Sequence, residues 1–160
     1  MREGPAEILL VEDSPADADL TREAFEAAGS GVRLYVVPTG PEALDFLRHE
    51  GQHRDSPVPD LVLLDLNLPG MDGVEVLRTI KADPALSAVP VIMLSNSGAE
   101  SDILRSYSNR ANSCLRKPLG IDDFLLMVES LLAFWLKVAC LPARSAARSS
   151  GGVSEGIASL

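Results

Sequence analysis

Apolar positions fall along this chain in short continuous runs separated by amphipathic stretches. Ile8-Leu9-Leu10-Val11 is one such run, and it stops at two acids, Glu12 and Asp13. Ser14-Pro15-Ala16-Asp17 follows. The serine suits a helix cap, the proline suits the first helical position, and the acid suits the positive end of the helix dipole. Leu20, Ala24, Ala27 and Ala28 then recur at helical spacing until Gly29 and Gly31. This predicts strand, loop and helix.

The pattern repeats. Leu34-Tyr35-Val36-Val37 predicts a second strand, 40–48 a second helix, and the polar stretch 50–59 a loop. Leu61-Val62-Leu63-Leu64 is apolar throughout, as a strand covered on both faces requires, and it ends at Asp65. A helix over 72–82 turns Val76, Leu77 and Ile80 inward. Val89-Pro90-Val91-Ile92-Met93-Leu94 is a fourth strand ending at Ser95, and a short helix over 100–107 follows. A weaker strand over 111–115 ends at Arg116-Lys117-Pro118. The last helix, over 121–138, carries Phe124, Leu125, Val128, Leu131, Leu132 and Trp135 at i, i+3/i+4 spacing. Five strands alternating with five helices predict an α/β fold, a parallel sheet with helices on both faces. Ligands of such sheets sit beyond the carboxyl ends of the strands, so the residues that follow each strand carry the chemistry.

Composition narrows the function classes. The chain has 160 residues and 46% hydrophobic content, enough for one domain with its own core. The formal charge is −9, which argues against bulk nucleic-acid binding. Beyond Val138 there are two arginines, Arg144 and Arg148, and one acid, Glu155, so residues 1–137 hold a net −10. Two cysteines, Cys114 and Cys140, make no disulfide framework. No apolar run has the length of a membrane span and the N-terminus does not read as a signal peptide, so a cytoplasmic location is expected. Residues 1–141 are expected to form the single domain, with its core at about 6–139. The Ser-, Ala- and Gly-rich stretch 142–160 is expected to be a disordered tail with no effector domain.

The strand ends bring together Glu12 and Asp13, Asp65, Ser95 and Lys117. Three close carboxylates repel unless a cation sits among them. Their hard oxygens suit Mg²⁺ (or Mn²⁺) rather than a thiophilic metal. A carboxylate beside such an ion can attack phosphorus, with Lys117 neutralising a phosphoryl oxygen and Ser95 hydrogen-bonding one.

The ordered set Leu10-Val11-Glu12-Asp13-Ser14, Asp65-Leu66-Asn67-Leu68-Pro69-Gly70-Met71-Asp72-Gly73, Leu94-Ser95 and Lys117-Pro118 resembles the receiver domain of two-component response regulators. The resemblance spans about 6–137. It implies a flavodoxin-like, doubly wound five-stranded parallel sheet, a (βα)5 three-layer sandwich of strand order 2-1-3-4-5. It implies that Asp65 is the phosphoacceptor, with the metal held by Glu12, Asp13, Asp65 and the backbone carbonyl of Asn67. Ser95, Asn96 and Lys117 would bind the phosphoryl group and switch, and the Lys117-Pro118 bond would be cis. Asn67 and Ser97 would tune dephosphorylation. The donor would be a phosphohistidine on a sensor histidine kinase. Such a protein promotes its own phosphorylation and dephosphorylation and turns over no independent substrate. The loop before the third strand, Ile80-Lys81-Ala82-Asp83-Pro84, the Asp102–Tyr107 stretch and Phe134-Trp135 look like single-domain regulators paired with bacterial phytochrome kinases.

The chain departs from the family at Cys114, which stands where an aromatic switch residue is usual; the thiol reads as a small packing residue. His49 and His53 read as solvated. The last helix is apolar nearly all round, so Tyr107, Phe134, Trp135 and Leu136 predict a homodimer face built from the fourth helix, fifth strand and fifth helix. Two alternatives remain open. A haloacid-dehalogenase-type phosphatase also uses an aspartate after a strand, but it needs a second acid where Asn67 stands. A degenerate receiver would act only as a binding scaffold.

Overall fold

The apolar runs become strands because each has a layer of side chains to enter on both faces. The structure, a computed structural model, describes residues 4–29 and 31–143. In chain order the elements are β1 (Glu7–Val11), α1 (Pro15–Ala27), β2 (Arg33–Val37), α2 (Gly40–Arg48), β3 (Leu61–Asp65), α3 (Gly73–Ala82), β4 (Val91–Ser95), α4 (Glu100–Ser108), β5 (Ser113–Arg116) and α5 (Ile121–Leu132). The sheet is wholly parallel, in the order β2-β1-β3-β4-β5. This is the flavodoxin-like order that the resemblance implied.

Period-two alternation divides the core into two layers. Leu9, Val11, Val62, Leu64, Val91 and Met93 face α2 and α3. Ile8, Leu10, Leu61, Leu63, Ile92 and Leu94 face α1 and α5. β1, β3 and β4 are buried along their whole length. Each fully buried aliphatic side chain contributes roughly 1.5–3 kcal/mol relative to exposure, so these three strands fix the platform on which the site stands.

Local chemistry sets the helix starts. Ser14 caps α1 by accepting the Asp17 N–H, and Thr39 caps α2 by accepting the Glu42 N–H. α3 starts at Gly73, directly under the end of β3. α4 is held differently from its neighbours. Of its residues only Ser106 is buried, while Leu104 and Tyr107 are exposed. Polar contacts hold it instead: Arg105 pairs with Asp72 at 2.8 Å, and the Cys114 N–H donates to the Tyr107 hydroxyl at 3.2 Å.

Three expectations change. The 50–59 loop contains a 3₁₀ turn, Gly51–His53, and its histidines are half-buried and bonded rather than solvated. His49 Nδ1 meets Ser56 Oγ at 3.1 Å, Ser56 Oγ donates to the Phe46 carbonyl at 2.6 Å, and His53 Nε2 meets Glu42 Oε1 at 3.4 Å. A left-handed His49 (φ 58°) ends α2 and folds the loop back so that these rings have partners to reach. The last helix is α5 followed by a π-helical turn, Ala133–Val138. Beyond α5, Trp135 and Leu136 pack against the second core layer, whereas Phe134 and Val138 stay exposed. The spare face is therefore smaller than the sequence suggested. Pro142 and Ala143 line one small hollow together with Pro59 and Pro90; the rest of the expected tail, 144–160, lies outside the described residues.

Candidate phosphoacceptor site

The carboxyl ends of β1, β3 and β5, with the first turn of α1, bring four charged residues into contact. Asp65, the last residue of β3, and Glu12, the first after β1, are both buried. Lys117 follows β5 directly, and its N–H donates to the Ser95 carbonyl at 2.7 Å, which fixes where its side chain departs. Its ammonium pairs with Glu12 Oε1, with Asp65 Oδ2 at 3.1 Å and with Asp17 Oδ2 at 3.0 Å. A lysine with 5% side-chain exposure is tolerable only when paired in this way.

One carboxylate oxygen from each of Glu12, Asp13 and Asp65 lies within 4.8 Å of the others. Glu12 and Asp65 are buried and Asp13 faces solvent. Burial, only partly offset by the hydrogen bond from Lys117, pushes the Glu12 carboxyl up from 4.5 to about 7. Lys117 is raised: burial alone would lower it, but the hydrogen bonds to Glu12 and Asp17 and the charges of Asp65 and Glu12 outweigh burial, so the ammonium stays charged. A buried carboxyl that resists ionisation, in a cluster of hard oxygens open to solvent on the Asp13 side, fits a divalent cation.

Ser95 closes the site from β4. It is fully buried, and its Oγ accepts the Gly98 N–H at 3.0 Å. Asn67 is exposed, and its N–H donates to Asp65 Oδ1 at 3.3 Å. Asn96 is exposed at the rim. Ser97 starts the α4 turn, accepting the Ala99 N–H and donating to Asp102 Oδ2. Cys114 is half-buried against the first core layer, and Cys140 is exposed.

The cis expectation is corrected. No peptide bond among the described residues is cis, so Lys117–Pro118 is trans. Trans is the lower-energy isomer of such a bond by ~0.5–1 kcal/mol, and here the pull of three carboxylates directs Lys117. Asp17 is the site residue that the sequence reading assigned only to the helix dipole. Its place in the first turn of α1, after two acids at a strand end, is the signal that could have marked it. A cleft of about 840 Å³ lies elsewhere, between the His49–Pro59 loop and Asp83–Val89, and contains none of these residues.

The fold and this set of strand-end residues define a receiver domain. The response regulator receiver domain family matches residues 8–129, and the chain belongs to it. Among its relatives, response regulator Rcp1 of Synechocystis sp. is 42% identical over 139 residues, 87% of this chain and 95% of that protein. The probable methanogenesis regulatory protein FilR2 of Methanothrix harundinacea is 47% identical over 135 residues, 84% of this chain and 86% of that one. The Mn²⁺-bound structure of Rcp1 aligns with a TM-score of 0.79, covering 87% of this chain and all of that one. The structure of the phosphorylated cyanobacterial phytochrome response regulator RcpA aligns with a TM-score of 0.82 at 41% identity, covering 88% of this chain and all of that one. The chain is thus a response regulator homologous to phytochrome response regulators. Among the described residues no helix is long and apolar enough to cross a membrane.

Proposed function

We propose that the protein accepts a phosphoryl group on Asp65 and uses it to switch a protein-binding surface. The observation that carries this reading is the contact of buried Asp65 with Lys117 at 3.1 Å inside the Glu12–Asp13–Asp65 carboxylate cluster. A divalent cation, Mg²⁺ or Mn²⁺, held by Glu12, Asp13, Asp65 and the Asn67 carbonyl would neutralise charge on the phosphoryl oxygens. An Asp65 carboxylate oxygen attacks phosphorus, and the bond from phosphorus to the donor breaks with its electron pair leaving on the donor. Lys117 keeps its ammonium charge throughout and pairs with a phosphoryl oxygen. Ser95 Oγ gives up the Gly98 N–H and turns its own proton to the phosphoryl group, drawing the β4–α4 loop with it. Asn96 flanks that oxygen at the rim, and Asn67 and Ser97 govern the approach of hydrolytic water.

The donor is a sensor histidine kinase of the phytochrome class, by analogy with the phytochrome regulator RcpA. The cell compartment is the cytoplasm, and residues 1–141 act as one receiver unit. Output runs through the α4–β5–α5 face, where Tyr107, Phe134, Trp135 and Leu136 join two copies; sedimentation giving a monomer mass at tens of micromolar protein would remove that pairing. Asn67 cannot act as the general acid of a phosphatase, so no independent substrate turnover is expected. Incubation with acetyl phosphate and Mg²⁺ tests the reading: intact mass rises by ~80 Da, one phosphoryl group. Asp65→Asn abolishes the gain. A gain that survives Asp65→Asn, or steady hydrolysis of p-nitrophenyl phosphate, refutes it.

A further inference from the structure

Lys117 has three N–H donors and three carboxylate partners, so every donor is committed. Two of those partners, Glu12 and Asp65, also belong to the cluster suited to a divalent cation, and the third, Asp17, does not. An ammonium and a divalent cation on the same two carboxylates repel each other. Lys117 must therefore loosen its hold on Glu12 and Asp65 when a cation enters. With its side chain only 5% exposed, it stays charged where it sits only if another acceptor lies within reach.

Asp17 offers the remaining route. Its carboxylate lies on the solvent side of the ammonium, 35% exposed against 1% and 3% for Glu12 and Asp65. Its backbone is pinned: the N–H donates to Ser14 Oγ at 3.3 Å, and the carbonyl accepts Thr21 Oγ1 at 2.8 Å. We infer that Asp17 is a positioning residue: it is the acceptor on which Lys117 rests while a divalent cation occupies Glu12 and Asp65. The inference rests on the phosphoacceptor reading above. In this role Asp17 raises cation affinity by drawing the competing ammonium away, and it keeps Lys117 within reach of Asp65 for the phosphoryl group.

The test is Mg²⁺ titration by calorimetry on four proteins: wild type, Asp17→Asn, Lys117→Gln and the double variant. Asp17→Asn is close to isosteric and keeps the backbone bonds of α1. Residues that share a partner are coupled, so Asp17→Asn weakens Mg²⁺ binding about fivefold when Lys117 is present and less than about twofold in the Lys117→Gln background. Asp17→Glu, which keeps the carboxylate, restores most of the affinity and covers the case in which Lys117→Gln fails to fold. Equal factors in both backgrounds, or an Asp17→Glu as weak as Asp17→Asn, overturn the inference. Absence of Mg²⁺ binding by the wild type instead overturns the phosphoacceptor reading on which it stands.

Discussion

Gly73 stands at the start of α3, pressed against the backbone of Asp65 and Leu66. A β-carbon there would lie 2.1 Å from the Asp65 carbonyl oxygen and 2.9 Å from both the α-carbon and the carbonyl oxygen of Leu66. A relaxed carbon–oxygen approach is about 3.3 Å, so the helix start and the strand end would have to separate by about 1.2 Å. The obstructing atoms are backbone at the end of a fully buried strand, so no rotamer change relieves the clash. Overpacking of this kind costs typically ~1–3 kcal/mol, and the backbone origin of the clash puts Gly73→Ala at the upper end of that range. At roughly 2–4 °C per kcal/mol for a domain of this size, the melting temperature falls by about 5–10 °C. Helix propensity alone predicts the opposite sign, since alanine is favoured over glycine by up to ~1 kcal/mol inside a helix. Calorimetric melting of Gly73→Ala beside the wild type, without divalent ions, decides between them. An unchanged or raised melting temperature would refute the reasoning. Because the displaced atom belongs to Asp65, phosphorylation should also slow by up to about a hundredfold, the effect of a ~1 Å misplacement at a reacting centre.

Two further outcomes follow from the same site. Burial lifts the Glu12 carboxyl from 4.5 to about 7, above its unfolded value. Its protonated form therefore favours the fold: that contribution is complete below about pH 4.5 and is lost as pH rises through about 7. Without divalent ions the melting temperature declines across that window, and Mg²⁺ recovers more of it at pH 8 than at pH 6. The apparent Mg²⁺ affinity weakens by up to about tenfold per pH unit below 7, because a proton holds a ligand oxygen; a pH-independent affinity between 6 and 8 contradicts this. Ser95→Ala removes a buried acceptor and strands the Gly98 N–H, costing ~1–2 kcal/mol in urea denaturation. It leaves acetyl phosphate labelling of Asp65 largely intact while uncoupling it from the β4–α4 loop. Loop amide shifts on phosphorylation that match those of the wild type would count against the assigned role.

The parallel sheet and its strand-end residues were legible in sequence because both follow from local rules, whereas the strand order came from the family resemblance. Continuous apolar runs mark strands covered on two faces, and a polar residue directly after such a run falls on one edge of a parallel sheet. Glu12, Asp65, Ser95 and Lys117 converge for that reason alone. Asp17 was not legible as a partner of Lys117, since the two lie one hundred residues apart and meet only across the gap between α1 and the end of β5. The left-handed His49 was hidden because its conformation is one that glycine normally signals. The weak anchoring of α4 was hidden too. Its Ile103, Leu104 and Tyr107 all stand at least partly in solvent, while Arg105 and the Tyr107 hydroxyl hold the helix through partners outside it.

The central claim is that one carboxylate, Asp65, receives the phosphoryl group. Acyl phosphates are reduced by borohydride, which converts a phosphorylated aspartate to homoserine. The protein is incubated with Mg²⁺ and acetyl phosphate, reduced, digested and sequenced by mass spectrometry. The account predicts homoserine at position 65, with Asp13, Asp17, Asp60 and Asp72 intact. Homoserine at any of those four positions, or none at 65 in protein that has gained mass, would contradict it.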